Sequence, residues 1–138
     1  MRFAALGLAL LAAGCTSIVG SREEREVGVV LGLAGGTPAI EVPTTVQAGQ
    51  DFTVTIRTGW RNGCARQDGT EVRVQGASAT ITPYDRITEG AVCTQATQEF
   101  VHSATLRFAQ PGTARLLIRG RATPNEGART IERSVTVR

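Results

Sequence analysis

From Ile40 to the C-terminus, apolar and polar residues alternate in short runs. A period of two marks strands with one buried face. The clearest run places Phe52, Val54 and Ile56 on one face and Thr53, Thr55 and Arg57 on the other. A longer run sets Phe100, His102, Ala104, Leu106 and Phe108 against Glu99, Ser103, Thr105 and Arg107. Ala114, Leu116 and Ile118 alternate with Arg115, Leu117 and Arg119, and Ile131, Val135 and Val137 oppose Glu132, Ser134 and Thr136. The pattern predicts seven strands: A over residues 40–42, B over 52–57, C over 72–74, D over 79–82, E over 99–108, F over 114–119 and G over 131–137.

Turn chemistry separates these runs. Ala48-Gly49-Gln50, Gly76-Ala77-Ser78 and Pro124-Asn125-Glu126-Gly127 punctuate the chain, and Gln110-Pro111-Gly112-Thr113 has the proline and glycine of a type II turn. No segment sustains a helical period. Seven short strands at this spacing predict one all-β domain, an antiparallel sandwich with Greek-key connections, over residues 37–138. Residues 15–36 read as a flexible tether. Within it, Ser21 and Glu24 have capping-box spacing. Gly28 and the β-branched residues beyond it oppose a helix, and residues 27–33 are also readable as an extra edge strand.

The N-terminus follows a different pattern. Arg2 precedes an uncharged run from Phe3 to Ala13. A membrane span needs about 20 apolar residues, so this run is too short to cross and has the length of a secretory signal. Small residues follow. Leu11-Ala12-Ala13-Gly14-Cys15 resembles the lipobox of bacterial lipoproteins, with Ala12 where leucine is commoner. The resemblance implies removal of residues 1–14, a diacylglyceryl thioether on Cys15 and acylation of the new amine. Two or more acyl chains anchor a protein stably, where one does not. Thr16 in place of aspartate implies, by the same resemblance, sorting to the outer membrane. An ordinary signal peptide with an incidental cysteine is the plainer alternative.

Composition narrows the picture. All fifteen basic residues are arginine, and the net charge is only +3. Arg115, Arg119 and Arg121 are spread along strands instead of forming the concentrated patch that nucleic acid requires, so no nucleic-acid partner is expected. Aromatic residues are only 4% of the chain, and a small domain with so few large side chains gains from a covalent staple. Beyond Cys15 stand Cys64 and Cys93, an even pair in an exported chain, which reads as a disulfide. A zinc site with His102 is the rival; it lacks closely spaced ligand pairs.

Residues 46–56 together with 106–118 resemble the first and last thirds of bacterial immunoglobulin-like domains. The resemblance implies a fold and no activity. The cysteines depart from it, because they do not lie in strands B and F. If successive strands alternate in direction, the B–C, D–E and F–G loops gather at one end. Cys64 lies in the first and Cys93 in the second, so a bridge would pin two loops. Trp60, Arg61, Arg66, Tyr84 and Arg86 would share that end and are the candidate binding residues, since Trp, Tyr and Arg dominate recognition hot spots. Trp60 equally continues the inward face of strand B and would then cap the core.

Catalytic signatures are absent. There is no Gly-x-Ser-x-Gly, Walker-type loop or His-Glu-x-x-His. His102 is the single histidine and falls on the inward face of strand E, where a core role is expected. Asp85 and Glu89 read as solvated loop carboxylates beside Arg86. The sequence therefore predicts a non-enzymatic envelope lipoprotein without cofactor or metal. It would be held to the membrane through its lipid and act as an interaction or structural module for an envelope protein partner. The alternative is a small-ligand binder or accessory subunit of an envelope enzyme, using the three-loop end.

Overall fold

Where the sequence alternates, the chain is extended, and no helix forms among the described residues. A computed structural model describes residues 20–30, 32–34 and 36–138; the predicted signal peptide and Cys15 lie outside the described residues. The strands are β1 (Arg22–Val27), β2 (Leu33–Ala34), β3 (Thr37–Pro38), β4 (Ile40–Glu41), β5 (Thr45–Val46), β6 (Phe52–Trp60), β7 (Ala65–Gln75), β8 (Ser78–Glu89), β9 (Gln98–Leu106), β10 (Gly112–Gly120) and β11 (Arg129–Val137).

Two sheets pack face to face as a β-sandwich. The smaller has the order β4-β6-β9 and is antiparallel throughout. The larger runs β1-β8-β10-β11-β5, with β7 on the other edge of β8. The predicted strand A is split. Ile40–Glu41 pairs with β6, and after Pro43 the chain crosses to pair Thr45–Val46 with β11. The predicted alternation is visible as burial: Val54, Ile56, Ala104, Leu106, Phe108, Ala114, Leu116, Ile118, Val135 and Val137 meet between the sheets, each no more than 3% exposed.

The long strand β8 organises the larger sheet. Its first residues pair with β10, from Ser78↔Arg115 to Ile81↔Ile118, and its last with β1, from Tyr84↔Val27 to Glu89↔Arg22. Pro83 sits at the changeover, where a residue without an N–H interrupts neither ladder. The β8–β10 pairing is parallel, as is β11–β5, so the sheet is mixed and not purely antiparallel as predicted. Predicted strands C and D are the cores of two longer strands, β7 and β8.

The predicted tether is the largest correction. Residues 22–27 form β1, and the chain then crosses between the sheets as a strap. Gly28 N–H donates to Pro83 O, Val30 N–H to Arg121 O, and Gly59 N–H donates to Val29 O. The strap thus links the end of β6 with the end of β10. Its passage requires glycine. A Cβ on Gly28 would lie 2.5 Å from Thr58 Cγ2, and one on Gly120 would collide with Val30 Cγ2.

Candidate functional site

The strand directions bring the β6–β7, β8–β9 and β10–β11 connections to one end, as predicted. There Cys64 and Cys93 form a disulfide with Cα atoms 5.2 Å apart. Cys64 immediately precedes β7 and Cys93 lies between β8 and β9. Gly63 N–H donates to Thr94 O beside the bridge, so the two connections are joined covalently and by backbone. With both cysteines in the bridge, the zinc reading falls: neither thiolate is left for a metal.

The five candidate binding residues do not converge. Trp60 and Arg61 are at the disulfide end. Trp60 is half-buried and Arg61 exposed. With Val29, Thr97, Ala122 and Pro124 they line a cleft of about 200 Å³. Sites for drug-sized ligands usually begin at about 300 Å³. The guanidinium of Arg121 lies 5.8 Å from the Trp60 ring centroid. That arginine is committed to structure: its Nε donates to Val27 O at 2.7 Å and Nη1 to Pro124 O at 3.1 Å. Its Nη2 meets Glu26 as an ion pair without an aligned hydrogen bond.

Arg66, Tyr84 and Arg86 lie elsewhere, on the outer face of the larger sheet. Tyr84 and Arg86 are strand residues of β8, and Arg66 belongs to β7. The register sets Arg86 directly opposite both Arg25 and Arg66. Like charges so placed repel, and carboxylates are interleaved among them. A bulge after Gln67 inserts Asp68, whose Oδ1 accepts from Arg86 Nη2 at 2.8 Å and whose Oδ2 accepts from Arg25 Nε at 2.6 Å. Glu23 accepts from Arg66 at 2.9 Å, and Glu71 from Arg25 at 2.8 Å. Arg25 also stacks 3.7 Å above the centre of the Tyr84 ring. The hydrogen bonds from Arg86 and Arg25 hold the Asp68 carboxyl below the ordinary aspartate range. Three arginines and three carboxylates thus answer one another, which leaves no free basic patch there.

Asp85, which sequence reasoning placed in a solvated loop, joins His102 in the interior of the same end. Asp85 is 2% exposed on the inward face of β8. Its Oδ1 lies 2.9 Å from His102 Nε2. Thr58 Oγ1 is 3.1 Å from the same nitrogen, and Thr70 Oγ1 is 3.1 Å from Nδ1. Four strands, β6, β7, β8 and β9, therefore meet on one imidazole. Both ring nitrogens thus have hydrogen-bond partners, Asp85 and Thr58 at Nε2 and Thr70 at Nδ1. A Ser-His-Asp triad places acid and nucleophile on opposite ring nitrogens. Here Asp85 and Thr58 share one nitrogen, and His102 and Thr58 have no exposed surface. The arrangement is that of a satisfied polar knot, the core role expected for His102. Glu89 is exposed at the end of β8, away from Asp85. The one available signal for the knot was an inward histidine in a chain with a second polar run to meet it.

No family model matches the chain, and no significant match was found among curated proteins or solved structures. The outer face of the larger sheet also carries a groove of about 320 Å³ between β7, β8 and β10, lined by Thr80, Thr82, Tyr84, Leu117 and Arg119. It is polar and open, and Arg119 is exposed along it. Neighbouring Arg115 is paired with Glu132, its Nε and Nη2 each 2.8 Å from a carboxylate oxygen.

Proposed function

We propose that the protein is a lipid-anchored envelope lipoprotein, with Cys15 as the modified residue and the sandwich as a non-enzymatic interaction or structural module. The observation that carries this reading is the string Leu11-Ala12-Ala13-Gly14-Cys15 after an uncharged run too short to span a bilayer. The disulfide is in keeping with an oxidising compartment outside the cytoplasm. By resemblance to lipoprotein sorting, Thr16 favours the outer membrane. The sealed histidine supports a binding or structural role, and the small cleft beside Trp60 favours a macromolecular partner over a small ligand.

The immunoglobulin-like reading belongs here too. The β4-β6-β9 sheet has the neighbours of strands A, B and E, and β5-β11-β10 those of a split A strand with G and F. An immunoglobulin domain sets strand C beside F. Here β8 lies beside β10 and runs parallel to it, so the reading is of a variant connectivity.

The test is the Cys15→Ser variant in a bacterial host that processes lipoproteins. Wild type should take up labelled palmitate and sediment with membranes; the variant should do neither. Wild-type protein that incorporates no label and stays soluble after export would overturn the anchor.

A further inference from the structure

Resting on the lipid-anchor reading, we infer that the disulfide end of the sandwich is apposed to the lipid headgroup layer and that the opposite end points away from the membrane. The first residue of β1 is Arg22, paired with Glu89 at the last residue of β8, so the chain enters the domain at the extreme of the disulfide end. Only residues 16–21 separate Arg22 from Cys15. Fully extended, seven backbone steps cover at most about 25 Å. The domain is longer than that. β8 alone has twelve residues, which at about 3.3 Å each span roughly 40 Å from the disulfide end to the turn at Gly76–Ala77. An inverted molecule, resting on that turn, would hold Arg22 farther from the bilayer than the connecting chain can reach. Because β1 is held by pairing along its whole length, it supplies no further slack.

The surface that results suits this neighbour. The loop from Gly90 to Thr97 carries no charged residue in a chain that is 20% charged. Val92 within it is fully exposed, the most exposed of the large apolar side chains among the described residues. The disulfide fixes this loop to the β6–β7 connection. Arg61 in that connection is exposed and makes no ion pair among the described residues, so it is available to a lipid phosphate. Headgroup contact is thus chemically compatible with the end that the tether dictates.

The chain holds a single tryptophan, Trp60, at the disulfide end. The mature lipidated protein would be reconstituted in vesicles containing a lipid with a dansyl headgroup, and energy transfer from tryptophan measured. A relocated donor, Trp60→Phe with Gln110→Trp, reports the opposite end. Flotation with the vesicles reads the anchor itself. Among floating samples, Trp60 should lose several-fold more emission to the dansyl lipid than the relocated donor. Equal transfer from both ends, or greater transfer from position 110, overturns the orientation while leaving the anchor standing. Failure to float overturns the anchor and the orientation with it. Wild-type hydrogen exchange gives a second reading: amides of residues 90–97 should slow on vesicles relative to detergent, and amides of residues 109–113 should not. Slowing confined to the latter contradicts the proposal.

Discussion

At the end of the sandwich away from the disulfide, Val46, Phe108, Ala114 and Val137 fill the space between the sheets, and short turns close it. Backbone bonds from Ala48 to Arg138 and from Gly49 to Phe108 seal the corner. At the disulfide end the continuous aliphatic cluster ends at Ile56 and Ile118, with only Val29 and Ile87 buried beyond it. His102, Asp85, Thr58 and Thr70 take over, with the bridge above them and the strap of residues 28–30 crossing beside them. Apolar packing tolerates many side-chain choices of similar volume. A polar knot does not, because each buried donor must meet its own acceptor. The end with fewer large apolar residues is therefore the one closed by directional and covalent bonds, and it is also where the chain leads back toward Cys15.

The largest expected effect comes from opening the knot. Asp85→Ala leaves the buried Nε2 of His102 without its carboxylate and opens a void; an unmet buried polar group costs about 1–3 kcal/mol, and the void adds to it. Asp85→Asn should recover part of this, since an amide offers both a donor and an acceptor within reach of Nε2. Urea denaturation of residues 20–138 checks both. A loss under about 1 kcal/mol for Asp85→Ala would mean that the knot is dispensable and that the two ends are held alike.

Removing the bridge should cost a comparable amount. Closing a loop with a sequence separation of 29 contributes about 3.5 kcal/mol in the chain-entropy account. The paired substitution Cys64→Ala with Cys93→Ala should lower stability by that order, and alkylation of the native protein should label neither cysteine until a reductant is added. Two free thiols in exported protein would contradict the structure.

A smaller effect is expected with pH on the outer face. Arg86 and then Arg25 depress the Asp68 carboxyl, so its contribution is present above the ordinary aspartate range and is lost as pH falls through the depressed value. Arg107 does the same to Asp51, and Arg115 to Glu132. Asp68→Asn should therefore make the fall of melting temperature in acid shallower, with little change in slope near neutrality. An unchanged acid limb would show that this network is solvated and inert.

Much of the sandwich was legible in the sequence. The alternation of Phe52 to Ile56, Phe100 to Phe108 and Ala114 to Ile118 marks faces that the fold buries, and alternating strand direction brought Cys64 and Cys93 together. β1 was not legible, because Arg22–Val27 is a strand of charged residues, held by pairing to β8 and by ion pairs across strands that hydrophobic periodicity does not report. β8 was cut short at Thr82, just before Pro83, with Asp85 read as a solvated loop carboxylate. The proline falls at a change of pairing partner, and the aspartate turns inward to a histidine seventeen positions along the chain. Of the candidate binding residues, the sequence order of Tyr84 and Arg86 pointed to a loop only because β8 was taken to stop at Thr82.

The N-terminal strap makes residues 22–30 part of the disulfide end and not a tether. Native-state hydrogen exchange on residues 20–138 and on a shortened chain of residues 32–138 tests it most directly. The amides of Gly59 and Arg121, which bond to Val29 and Gly28, should lose protection in the shortened chain, while those of Ala48 and Gly49 at the far end keep theirs. Unchanged protection at Gly59 and Arg121, or equal loss at both ends, would contradict the account.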